Sequence, residues 1–130
     1  MEITLDTSAL IAVITNEPTK GRIVEISNRS TIFCPISVHW EIGNAFSAML
    51  KRDRINIAQA QACIQAYEEI PIKFIEVSLA QTLELVNHLK IYAYDAYLIT
   101  CAQQLGSPLL TLDRGLISAA QSVGVKTLEV

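Results

Sequence analysis

At 130 residues, with 51% hydrophobic and 18% charged residues and a mean hydropathy of +0.34, the chain is too apolar for a disordered tail and long enough for a core without staples. A formal charge of −3 argues against a protein that holds nucleic acid through an overall basic surface. No run approaches the roughly 18 uncharged apolar residues of a membrane helix, the start MEITLD carries acids where a secretory leader is basic, and Cys34, Cys63 and Cys101 are odd in number and widely spaced, so the expectation is a soluble, cytoplasmic protein with buried reduced thiols.

Ile3, Thr4 and Leu5 read as a buried strand, and Ala9, Leu10, Ile11, Val13 and Ile14 as a buried helix running to about Thr15. Pro18 opens another helical stretch, which carries Ile23, Val24 and Ile26 and ends at Asn28 and Arg29. Thr31 to Ile36 is β-branched and aromatic, a strand that closes at Pro35. Ser37 then stands as the cap of a helix reaching about Arg52, with Val38, Ile42, Ala45, Phe46 and Met49 on one face. Ile57 to Glu69 is helical and stopped by Pro71, Lys73 to Val77 alternates as a strand, and Leu79 to Leu89 is helical. Tyr92 to Tyr94 connect to a helix opened by Asp95 and stopped after Leu105 by Gly106 and Pro108. Leu109 to Leu112 is a short buried strand. Asp113, Arg114 and Gly115 turn the chain into a helix over Leu116 to Ser122, and Val125 to Val130 is the last strand. Strands alternate with helices throughout and no linker or repeat intervenes. This predicts a single domain over residues 1–130, of the α/β class, with a mainly parallel sheet covered by helices on both faces.

Two strands end alike: Ile3-Thr-Leu5 runs into Asp6 as Leu109-Leu-Thr-Leu112 runs into Asp113. In a parallel sheet both carboxylates then lie at one edge, where ligands collect. Asp95 shares a helix face with Leu98, Ile99 and Ala102, so a first-turn acid points to the packed side. Glu41 falls on the edge of its helix's apolar stripe, with Asn44 beside it. Burying a lone carboxylate costs several kcal/mol unless a cation or donors compensate, and a helix N-terminus offsets only about 0.3 to 1 kcal/mol. No lysine or arginine neighbours Asp6, Glu41 or Asp95 in sequence, though Arg114 adjoins Asp113. A hard divalent ion, Mg2+ or Mn2+, is the economical partner for such acids. One or two ions so held can activate water against a phosphodiester.

These residues carry a resemblance. Asp6 followed by Thr7-Ser8, Glu41 with Asn44, Asp95 within YDAYLITCA and Asp113 closing LLTLD resemble, in that order and over essentially the whole chain, the PIN-domain ribonucleases, a three-layer α/β/α family. The likeness is greatest to the VapC-type toxins of toxin-antitoxin pairs. It implies a Mg2+- or Mn2+-dependent endoribonuclease, a homodimer, and inhibition by a small antitoxin encoded nearby. It places Asp6, Glu41, Asp95 and Asp113 as the catalytic, metal-holding quartet. Ser8 and Thr111 match supporting hydroxyl positions, and Asn44 a polar position beside the second acid.

Each residue also has a plainer role open to it. Asp6 and Asp95 could be helix caps, Asp113 ordinary turn chemistry and Glu41 a solvated helix acid. Ser8 and Thr111 could cap or orient. Tyr92, Tyr94 and Tyr97 surround Asp95; packing in the helix core is the expectation, stacking on an RNA base the alternative. The charge objection weakens once the four acids are set aside, since 9 acids then face 10 lysines and arginines. Arg52 and Arg54, beside Lys51, and Arg114 become candidate phosphate contacts, or simply solvated helix-end charges.

Other enzyme classes fit poorly. His39-Trp40-Glu41 matches the H-x-E of zinc deaminases, but the P-C-x-x-C that should follow is missing. The joint after the first strand lacks the second acid of D-x-D-x-T phosphatases, and no phosphate-binding glycine loop occurs. The serious alternative is a non-catalytic RNA-binding or assembly module on the same fold.

Overall fold

The computed structural model describes all 130 residues. Five strands, β1 (Glu2–Leu5), β2 (Thr31–Pro35), β3 (Ile72–Ile75), β4 (Leu109–Leu110) and β5 (Thr127–Leu128), form one sheet in the order β3-β2-β1-β4-β5. Every pairing is parallel. Parallel neighbours need crossovers, and seven helices supply them: α1 (Thr7–Ile14), α2 (Lys20–Ser27), α3 (Ser37–Lys51), α4 (Ile57–Glu68), α5 (Leu79–Leu89), α6 (Ala93–Leu105) and α7 (Arg114–Ser122). Helix α1 packs on α2, α3 and α4, whereas α6 packs on α5 and on β1, β2 and β4. The result is the expected sheet between two helical layers.

Burial on both faces explains why the strands read as apolar runs. Ile3, Leu109 and Leu110 are fully buried, and so, within the helices, are Ile99, Ala96 and Ala12. Thr4 is as buried as its apolar neighbours, and its hydroxyl is satisfied by Ser107 Oγ at 2.7 Å. Ile99 lies under the centre of the sheet. Ile99→Ala is expected to cost about 2–5 kcal/mol, lost transfer energy plus a residual cavity, read as a lower midpoint in urea denaturation.

Local boundaries differ from the pattern in four places. Ser37 does not cap α3: the N-cap is Ile36, in helical conformation and without a side-chain bond, and the Ser37 hydroxyl is buried with no partner. Strand β3 stops at Ile75 although the alternation continues to Val77, because its only neighbour, β2, ends at Pro35 opposite Ile75. Strand β5 is only two residues long, since it pairs with a two-residue β4. Helix α6 begins at Ala93, two residues before Asp95, so Tyr94 belongs to its first turn and only Tyr92 is extended. The three cysteines are free; Cys34 and Cys101 are buried and Cys63 half-buried. No helix is long and apolar enough to cross a membrane.

One feature of the topology positions the site. From β1 the chain builds outward through β2 and β3, then returns to lay β4 on the other side of β1. The order reverses between β1 and β4, and such a switch point opens a crevice beyond the carboxyl ends of the two strands. Asp6 and Thr111 are the residues that follow those ends.

Candidate active site

Asp6 leaves β1 in extended conformation and is the N-cap of α1, its Oδ1 accepting the Ala9 N–H at 3.0 Å. The capping role is therefore real, yet it occupies only part of the carboxylate. The Ser8 hydroxyl lies 2.8 Å from Oδ1 and 2.9 Å from Oδ2, donating across both, and the Thr111 hydroxyl donates to Oδ2. Ser8 Oγ in turn accepts the Leu112 N–H at 3.1 Å, and Thr111 Oγ1 accepts the Asp113 N–H at 3.0 Å. The two hydroxyls thus tie the end of β4 to the start of α1. Asp6 is only 5% exposed. Burial pushes its carboxyl above the usual range, against the three donors that favour the charged form, and the nearby Asp113 adds to the rise.

The other acids come from three more elements. Glu41, in the second turn of α3, accepts the Thr7 hydroxyl at 3.0 Å. Its carboxyl is raised first by burial, then by the charges of Asp6 and Asp95, while Thr7 opposes. Asp95 is raised by burial and by Asp113, and accepts no hydrogen bond from the protein. Asp113 caps α7 by accepting the Leu116 N–H at 3.1 Å and stays exposed. Here too a cap and a site position coincide. Gly115 makes room for it, since a β-carbon there would lie 3.2 Å from Asp113 Oδ1.

All four carboxylates, with Thr7 and Ser8, line one cavity of about 290 Å3. No lysine or arginine lines it, and the molecule's one ion pair, Arg22 with Glu25 at 3.2 Å, lies on α2. Asp6, Glu41 and Asp95, raised by burial and by one another's or Asp113's charge around a shared space, are a ready site for a cation. No three of these side chains are already drawn around a single point. Like charges splay when nothing neutralises them, and Mg2+ binds through one or two carboxylates while keeping several waters, so the donor set fits such an ion without a closed cage.

The remaining sequence candidates separate clearly. Ser8 and Thr111 stand behind Asp6 and hold it. Asn44 is exposed and does not line the cavity. Arg52 and Arg54 are exposed beyond the far end of α3, roughly 16 Å along the helix from Glu41. Arg114 is exposed beside Asp113 without pairing with it. The tyrosines depart from expectation: Tyr92 is 87% and Tyr94 52% exposed, and only Tyr97 is partly covered. Their helix packs on the sheet through Leu98, Ile99 and Ala102, leaving Tyr92 and Tyr94 outside. His39 hydrogen-bonds the Tyr67 hydroxyl at 3.0 Å, a structural role.

Thr7 was not singled out by the sequence pattern. Thr7 follows Asp6 directly, but its bond to Glu41 spans 34 residues and has no local signal. Thr111 offers a test of the site's support. Thr111→Val removes a donor from a buried carboxylate and an acceptor from Asp113 N–H, an expected loss of about 1–3 kcal/mol in thermal denaturation at neutral pH. Thr111→Ser is expected to restore most of it.

With the acids at a switch point, the comparisons with known proteins decide the family. The PIN-domain model matches residues 3–121. The chain belongs to the PIN-domain family. No curated protein sequence matches it. Among solved structures, this PIN domain is similar to PAE2754 from Pyrobaculum aerophilum, with a TM-score of 0.73 and 23% identity over 92% of this chain and 79% of that one. It is similar to VapBC2 from Rickettsia felis, solved on a DNA fragment from its promoter, with a TM-score of 0.71 and 19% identity over 99% and 98% of the two chains. It is also similar to VapC20 from Mycobacterium tuberculosis, described as a sarcin-ricin loop cleaving toxin, with a TM-score of 0.66 and 14% identity over 98% and 99%. At these identities the likeness establishes the PIN fold.

Proposed function

We propose that this PIN domain is a Mg2+- or Mn2+-dependent endoribonuclease that hydrolyses RNA phosphodiester bonds, and that it serves as the toxin of a toxin-antitoxin pair. The observation that carries the reading is the gathering of Asp6, Glu41, Asp95 and Asp113, from beyond the ends of two strands and the N-terminal halves of two helices, around one cavity without a neutralising cation. A binding or assembly module has no use for that arrangement, which sets four acids, Asp6 buried and Glu41 and Asp95 half-buried, against one another. The toxin assignment is supported by the likeness to the VapC20 and VapBC2 structures. With it come a small antitoxin as partner, a homodimer, and a cytoplasmic location.

One or two ions would be held by Asp6, Glu41, Asp95 and Asp113. When bound, such an ion offers a Lewis acid to a phosphate oxygen and lowers the pKa of water. The protein's own part is positional. Ser8, Thr111 and the Ala9 N–H fix the Asp6 carboxylate against rotation, and Thr7 does the same for Glu41. Asp95, with no protein donor on its oxygens, is the acid free to take a proton from an attacking water.

The test is direct. The full chain is incubated with a mixed RNA substrate in Mn2+, in Mg2+ and in EDTA, and the products are sized. Internal cuts with either ion and none in EDTA are expected. Intact RNA under all three conditions would remove the nuclease reading and leave the assembly module standing.

A further inference from the structure

A second cavity, of about 500 Å3, opens beside the one that holds the acids. The two share no lining residue, yet three consecutive pairs are divided between them: Trp40 and Glu41, Tyr94 and Asp95, Tyr97 and Leu98. The N-terminal halves of α3 and α6 therefore form the wall between the cavities, with rings on one side and carboxylates on the other. Trp40 is 65% and Tyr94 52% exposed. The Tyr94 and Tyr97 rings meet edge to face, 6.0 Å apart. Ser37, one helical turn before Trp40 and Glu41, lines this second cleft and has an unpartnered hydroxyl.

The cleft's charge says what can enter it. Its one ionisable acid or base apart from the tyrosines is Glu76, and no lysine or arginine lines it, so a phosphate is disfavoured there. A flat, uncharged group with polar edges is favoured: its faces meet aromatic rings, and its edge meets the Glu76 carboxylate. A nucleobase has that chemistry. In a polynucleotide each base is tethered to a phosphate, and here an aromatic cleft adjoins a candidate phosphate site through neighbouring residues.

We propose that the Trp40–Tyr94 cleft takes one unpaired base of the RNA strand whose backbone crosses the acid cluster, stacking it on these rings and so choosing which phosphate is presented. The proposal rests on the ribonuclease reading above. Trp40 and Tyr94 are then positioning residues.

Trp40 is the only tryptophan of the chain, so its fluorescence reports on the cleft. The experiment titrates a short single-stranded RNA into the full-length Asp6→Asn variant, which keeps the fold and does not cut. Saturable quenching of Trp40 is expected, with the affinity falling about tenfold in the added presence of Tyr94→Ala and recovering with Tyr94→Phe. RNA that binds, by anisotropy of a labelled strand, without changing the emission of Trp40 would overturn the proposal. So would an emission change that follows protein concentration without RNA and tracks dimer formation in sedimentation, which would make the cleft a surface between two copies of the chain. Cleavage by the parent chain in Mn2+ is scored separately. Cutting without quenching sinks the stacking site alone, whereas quenching without cutting supports the stacking site and sinks the nuclease reading.

Discussion

Asp6→Asn and Asp95→Asn are each expected to reduce Mn2+-dependent RNA cleavage by about 10³-fold or more, on the order of 4 kcal/mol of transition-state stabilisation, while the circular dichroism spectrum stays that of the parent. Asparagine is as good a helix N-cap as aspartate, so the Ala9 N–H keeps its acceptor and α1 its start. What is lost is one negative charge at the point where the four acids face one another, together with Oδ2 as an acceptor, so that the Thr111 hydroxyl must turn and accept from the new amide. Asp95 caps nothing and accepts no protein hydrogen bond, so its replacement isolates the charge from any structural duty. Parent-like cleavage by both variants would show that the acid cluster is not the reaction centre. The pair also separates the capping role from the proposed ligand role, since Asp6 caps a helix and Asp95 does not.

The second large effect is on stability. In metal-free buffer the chain is expected to lose stability as pH rises from the ordinary carboxylate range toward neutrality. The sign follows from the direction of the shifts. Asp6, Glu41 and Asp95 all have folded-state carboxyls raised above the ordinary values of 3.8 for aspartate and 4.5 for glutamate, chiefly by burial. Within the window between those values and the higher folded ones, the folded state binds more protons than the unfolded, so each step upward in pH favours unfolding. The contribution is complete below about pH 4 and gone once pH has passed the folded values. Most of it belongs to Asp6, since Glu41 and Asp95 are partly open to solvent, which screens them. Asp6→Asn should flatten this part of the profile and melt higher than the parent at neutral pH without metal.

Adding Mn2+ should reverse the trend. An ion that binds only the folded state at a hundred times its dissociation constant contributes about 2.7 kcal/mol, on the order of 10 °C in melting temperature for a domain of this length. The effect should grow as pH rises and the acids lose their protons, and be absent in Asp6→Asn. A melting temperature indifferent to Mn2+, Mg2+ and EDTA across this pH range would remove the metal site from the account.

Much of this was legible from the one-dimensional pattern, for reasons that are local. Apolar runs such as Ile3 to Leu5 and Leu109 to Leu110, alternating with helices of 3.6-residue period, are imposed by a sheet buried on both faces. A strand that ends in an aspartate before a helix is a local event twice repeated, and Asp95 on the same face as Leu98, Ile99 and Ala102 is a matter of helical angle alone. Sequence by itself therefore determined the α/β class and singled out the four acids as candidates. Only the tertiary structure decided that they share one cavity. That depends on β4 pairing with β1 across more than a hundred residues, and nothing in the neighbourhood of either strand encodes the choice. The same holds for Thr7 reaching Glu41 and for Tyr92 and Tyr94 standing in solvent instead of the core: a helix's periodicity fixes which residues lie together on a face, but what covers that face is settled by elements far away in the chain.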